Sequence, residues 1–307
     1  MKSTVILLLK IAVSVGSFLV IFRSIAWADV IHVLKHAQYS LMLLALAVFA
    51  TAQIFSALRC VYVARVLGGP LSLRTSLRAH FVGLWFNQVL PTGLGGDVVK
   101  IAILRKSLGL SIAIRSAVLD RISGLIFLLV ATTVALPIYG VVFRSHPEVI
   151  ASVGVIGVGG SATIFLAAWI AHNLSRRTSI SPALLRSIRV FSDVWSFKSG
   201  RPLLEQICTS AIVHFNGIAT YAFLGYALGV HASILAFVLV VPVVFLITLI
   251  PVSFAGWGIR EVGAVLMFNL VGVGKEVALA MSVSFGLLLI VAGLPGLFIW
   301  MLKAPDS

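Results

Sequence analysis

The sequence predicts an all-α polytopic membrane protein, a single integral membrane domain over residues 1–307. About six full transmembrane helices, two re-entrant helical hairpins and an inverted repeat are expected in it. Three observations carry this. Mean hydropathy is +1.14 and only 10% of residues are charged, more apolar surface than a soluble chain of 307 residues needs. Apolar runs of span length recur between connections rich in Lys and Arg. Two stretches, 87–100 and 249–261, place Pro, Gly and ionisable residues where an ordinary span is apolar.

The first span is 4–22, apolar apart from Lys10 and long enough to cross about 30 Å as a helix. It is kept as a span rather than a cleaved signal, because Lys10 interrupts its front and Arg23 precedes Ala26-Trp27-Ala28. Residues 23–38 suit a short surface helix, with Trp27 and Tyr39 at the interface. His32 and His36 have the i, i+4 spacing of metal ligands, but no third ligand is near and a solvated face is expected. The second span is 39–58. A basic stretch with Arg59, Arg65, Arg74 and Arg78 follows. Residues 80–90 are too short to cross; they enter the first turn, and 98–104 returns to Arg105-Lys106. A short segment, 111–119, ends at Asp120-Arg121, and 122–143 is a full span.

Residues 149–171 span again, with Gly154, Gly157, Gly159 and Gly160 permitting close helix packing. A second basic loop covers 172–202. Residues 203–229 span and carry His214 and Asn216, expected to bond neighbouring helices. Residues 234–250 lead into the second turn, 262–273 returns, and 277–302 is the last span, ending at Lys303. The basic regions 59–121 and 172–202 belong on the cytoplasmic side, which places both termini there and the chain in the cytoplasmic (inner) membrane. Offsets between matching segments are 145 (4 to 149), 160 (Pro91 to Pro251) and 155 (122 to 277) residues. They suggest inverted repeats over 1–145 and 146–307, whose site lies where the broken elements meet.

Composition and motif exclude several function classes. Net charge is +14, but the basic residues border apolar runs, so they serve topology and anionic lipid rather than nucleic acid. Cys60 and Cys208 are isolated and read as small buried hydrophobes, with no zinc spacing and no disulfide framework. Gly93-Leu-Gly95-Gly96 lacks the phosphate-loop pattern. No cofactor, metal site or catalytic motif is expected.

Chemistry concentrates at the two turns. Pro91, Gly93, Gly95 and Gly96 make the first; Pro251, Gly256 and Gly258 make the second. Asp97 and Lys100 stand one helical turn apart, and Asp120-Arg121 and Arg260-Glu261 are the other charged groups beside apolar runs. Buried charges must pair or face water. Asp97 with Arg260, or Glu261 with Arg121 or Lys100, are candidate pairs, and the sequence does not choose among them. Lys100, Arg121 and Arg260 suit a phosphate; Asp97, Asp120 and Glu261 suit orienting those cations or carrying protons. Asn87, Gln88 and Thr92 on the first hairpin, with Ser253 and Trp257 on the second, are suited to solvate a headgroup. His80 either faces the same cavity or marks the interface.

These residues resemble the membrane region of the lysylphosphatidylglycerol synthase family, described also as flippase-like. The resemblance rests on Asn87, Leu90-Pro91, Gly93, Gly95-Gly96-Asp97 with Lys100, Asp120-Arg121, Gly124, and Pro251, Ser253, Gly256, Gly258 with Arg260-Glu261. Family members often carry Glu and Arg where this chain has Asp97 and Lys100; both changes keep charge. No polar block here matches the soluble aminoacyl-transferring domain of the full synthases, so no synthase activity is implied. What the resemblance implies is movement of a lipid with a charged headgroup between leaflets. The lipid classes linked to the family are aminoacylated phosphatidylglycerol, polyprenyl-phosphate sugars and hopanoids. The alternatives are an intramembrane transferase that modifies a lipid headgroup, and a non-transporting partner subunit that presents lipid to a lipid-synthesis enzyme.

Overall fold

The computed structural model describes residues 27–90, 95–176, 182–249, 253 and 256–302. The expected span 4–22, the turn residues Pro91, Thr92, Gly93 and Pro251, and Lys303 lie outside the described residues. All regular structure among the described residues is helical. Five helical segments are long and apolar enough to cross a bilayer: Tyr39–Val66, Gly95–Val134, Pro147–Ser175, Gly200–Ala227 and Lys275–Leu302.

In chain order the helices are α1 (Trp27–Lys35), α2 (Tyr39–Val66), α3 (Leu73–Val89), α4 (Gly95–Val134) and α5 (Leu136–Val142). Then come α6 (Pro147–Gly154), a π turn over Val155–Gly159, α7 (Gly160–Ser175), α8 (Pro182–Val194) and a 3-10 turn over Trp195–Phe197. The chain continues with α9 (Gly200–Ala227), α10 (Ile234–Thr248), α11 (Ile259–Asn269) and α12 (Lys275–Leu302).

Three expectations change. The second span does not stop at Leu58: α2 runs two further turns and carries Arg59, expected in a basic connection, into a buried position at 6% exposure. The segments expected at 111–119 and 122–143 are not separate, whereas 98–104 is set off from them as expected. α4 runs through Asp120-Arg121 and breaks at Gly109, where φ is +72° and ψ 159°, a conformation glycine adopts without a Cβ penalty. It ends at Val134, and Pro137 opens α5 within its first turn, where the missing N–H costs no helical bond. Cys208 is exposed on α9, whereas Cys60 is buried as expected.

The described chain divides into two units, each drawing on both halves of the sequence. The first comprises 1–53, 80–100 and 215–307. Here α1 leads into α2, with His36 Nδ1 donating to the His32 carbonyl and the two rings 4.2 Å apart. The hydrophobic centre is aromatic: Tyr221 stacks on Phe285 at 4.5 Å, with Phe49, Phe237, Phe245 and Phe268 around it. Gly293 and Gly296, three residues apart on α12, lie against the backbone of Trp85 and Phe81 on α3, and any side chain there would hold the helices apart. α3 and the start of α4 approach equally closely through Gly83 and Gly96. Asn216 accepts from Thr51 at 3.0 Å, the interhelical bond expected of it.

The second unit comprises 54–79 and 101–214. Cys60, Ala64, Leu71, Ala79, Leu104, Leu108 and Ala113 form one apolar cluster. Of the four glycines expected to tighten packing, Gly157 lies against Thr133 and Gly160 against Leu129, while Gly159 meets nothing within 4 Å. α8, within the expected basic loop, is tied to α4 by Arg115, whose Nε and Nη2 both donate to Asp193, the latter at 2.6 Å.

Candidate functional site

The two kinked stretches converge in the first unit on one half-open cavity of about 240 Å³. Leu84, Asn87 and Gln88 of α3 line one side. Phe245 and Thr248 of α10, Gly256 and Arg260 line another, and Phe285 and Leu289 of α12 complete it.

The second stretch builds its part from the helix start upward. Gly256 and Gly258 have φ of +81° and +86°, so the chain turns sharply into α11. Glu261, in the first turn of α11, reaches back and accepts from the Gly258 N–H, satisfying a donor that the helix start leaves open. Its other oxygen accepts from Arg260 Nη2 at 2.7 Å, Arg260 Nε at 3.0 Å and the Ser282 hydroxyl at 3.2 Å. Glu261 is fully buried and Arg260 nearly so, at 3% exposure. The guanidinium lies over Trp257, 4.6 Å from the ring centre, and Gly286 leaves the space in which both sit. Two ions are thus kept in an apolar surround by mutual bonding.

The first stretch contributes amides. Asn87 Oδ1 accepts from the Gly96 N–H at 2.9 Å, which fixes the amide and leaves its NH2 group for other partners. Gln88 Oε1 is buried and takes no hydrogen bond among the described residues. Lys100 is buried one turn beyond Asp97, its Cβ against the Gly83 position. Ser253 is buried, and its hydroxyl has no partner among the described residues. His80 bonds Gln53 at 3.0 Å.

Glu261 is therefore not paired with Arg121 or Lys100 as the sequence allowed, but with the neighbour in the chain. Adjacent residues on a helix face apart; here the sharp glycine turn lets both side chains fold over the first turn. Asp120 sits in the second unit with Arg59, Nε to Oδ1 2.7 Å, and Arg59 Nη1 also donates to Ser210 at 3.2 Å. Arg121 is exposed. Of the predicted site residues, the cavity thus collects Asn87, Gly256 and Arg260, with Glu261 directly behind. Sequence reasoning missed Arg59, Thr248 and Ser282. Arg59 had a readable signal: Ser56, Arg59 and Val63 follow helical spacing and are all buried.

Arg59→Ala removes the guanidinium bonded to the buried Asp120 carboxylate. The expected loss is about 3–5 kcal/mol, read as a lower melting temperature of the purified protein in detergent.

A family model described as the lysylphosphatidylglycerol synthase TM region matches residues 7–296. No curated protein and no solved structure matches the chain. With five long apolar helices and a family match over nearly its whole length, this is a multi-pass membrane protein of a lipid-related family, and it belongs to the lysylphosphatidylglycerol synthase TM-region family.

Proposed function

We propose that the protein translocates a lipid with an anionic or phosphate-bearing headgroup across the cytoplasmic membrane. The observation that carries this is the cavity itself: both kinked stretches supply its walls, and it holds a buried guanidinium and an oriented amide whose NH2 group is left to donate. A site for anionic oxygens needs donors that are already aimed. A volume of about 240 Å³ suits a headgroup, while the hydrocarbon chains remain in lipid. Lys100 and Asp97, in the same unit, complete the charge set of this reading, with Ser253 as a polar neighbour.

In this reading six spans and two re-entrant hairpins form inverted repeats, both termini are cytoplasmic, and rocking of the repeats exposes the headgroup to each side in turn. Aminoacylated phosphatidylglycerol, polyprenyl-phosphate sugars and hopanoid-type lipids are the cargo classes it admits. The alternative is an intramembrane transferase with Asp97 or Glu261 as general base; for Glu261 it is disfavoured, because both carboxylate oxygens are already engaged.

The test is leaflet exchange of a labelled phospholipid in liposomes, with mass spectrometry for any new product. Wild type should exchange lipid without altering it. A new product supports the transferase; neither exchange nor product supports a non-transporting partner of a lipid-synthesis enzyme. Gln88→Leu removes an amide that bonds nothing among the described residues. It should slow exchange roughly tenfold, the worth of one hydrogen bond to a charged group, with melting unchanged. Normal exchange in this variant removes Gln88 from the site.

A further inference from the structure

Two of the three acids expected to carry protons are held in ion pairs: Asp120 by Arg59, and Glu261 by Arg260. A different side chain is better placed. His214, on α9 in the second unit, stacks flat on Phe127, with ring centres 5.4 Å apart and 3° between planes. Its Nε2 is buried and has no hydrogen-bond partner among the described residues. The point where a Cβ on Gly124 would stand lies 3.4 Å from His214 Nε2 and 3.4 Å from Arg59 Nη1. Imidazole and guanidinium therefore face each other over bare backbone. The charged groups on that side are Arg59 from α2 and, bonded to it, Asp120 from α4. The same guanidinium bonds Ser210, one turn before His214, so three helices of span length meet at one polar centre.

We infer that His214 is the proton-binding site of the transport cycle. This rests on the translocase reading. Beside a guanidinium, Nε2 presents its lone pair, and the ring proton sits on Nδ1. A proton delivered by a hydronium ion forms the Nε2–H bond and releases water, leaving an imidazolium opposite Arg59. Two cations against the same glycine repel strongly in an apolar surround. Relief comes when Arg59 swings off Gly124 or Asp120 turns to the imidazolium, and either movement loosens the bonds joining α2, α4 and α9. Proton occupancy and the closed lock thus exclude one another, which is what couples a proton to a change of state.

The experiment uses the full-length protein in phosphatidylglycerol liposomes. Exchange by wild type should change roughly threefold or more between about pH 8 and about pH 5, and exchange by His214→Gln should be flat over that range. Identical pH profiles overturn the inference. Should His214→Gln fail to reconstitute, His214→Asn replaces it. Nitrogen NMR of histidine-labelled wild type gives a readout free of transport, with the His214 signal assigned by its absence in the variant. A signal that moves on acidification supports the site; one fixed across the range overturns it. Absence of exchange in wild type at every pH counts against the translocase reading, and the NMR titration then decides the proton site alone.

Discussion

Glu261→Gln should unfold the protein at a markedly lower temperature than wild type. The carboxylate is fully buried, and the cation it neutralises, Arg260, has 3% exposure. Removing the charge while keeping the shape leaves a guanidinium in apolar surroundings with only neutral acceptors. Breaking such a pair costs about 3–5 kcal/mol, a large share of the stability of most domains. The sequence, which places Glu261 at a wet headgroup site, leads to the expectation that this variant loses exchange and folds normally. Burial and the bond to the Gly258 N–H reverse the second half of that expectation. Thermal unfolding in detergent is the measurement. The double variant Arg260→Leu with Glu261→Met should recover part of the loss, because no ion then remains to be desolvated. An unchanged melting temperature in Glu261→Gln removes the ion pair from the account of stability.

Gly96→Ala should be the most damaging single-carbon change where α3 and the start of α4 meet. A Cβ there runs into the Gly83 carbonyl oxygen on one side and the Asn87 amide on the other. Backbone cannot rotate out of the way as a flexible side chain can, so the two arms must part. Overpacking of this kind costs about 1–3 kcal/mol, and sometimes more. The same displacement breaks the bond from the Gly96 N–H to Asn87 and turns that amide away from the cavity. Both melting temperature and lipid exchange should fall. Gly140→Ala is the control: it is helical and has open space around its Cβ position, so it should change neither. Equal behaviour of the two variants would mean that the approach of α3 and α4 does not depend on a missing side chain.

Much of this was legible before any coordinates. A mean hydropathy of +1.14 fixes the protein class, and Pro and Gly beside ionisable groups mark the two places where a plain span is impossible. Asn87, Gly256 and Arg260 were found that way, because their setting breaks a rule that holds along the rest of the chain. The failures share a physical cause. Arg59 looked like the first residue of a basic connection, since charge normally marks the end of a span. Nothing nearby in sequence announces Asp120 and Ser210, the partners that make its burial tolerable. For Arg260 and Glu261 the sequence offers only distant candidate partners and does not choose among them; only the backbone of the preceding turn shows that these two neighbours meet. The break at Gly109 falls between the two segments expected at 98–104 and 111–119, although its backbone angles are not written in the sequence.

The π turn at Val155–Gly159 has a consequence for how this segment tolerates insertion and deletion. Such a turn is an α-helix with one residue too many. Deleting one residue there would rewind the segment Pro147–Ser175 as an unbroken α-helix and rotate everything beyond it by about 100°. Either Gly157 or Gly160 would lose its place, the first against Thr133, the second against Leu129. Chains of this lineage differing by one residue at that point must therefore carry their small residues at shifted positions to keep the same seam.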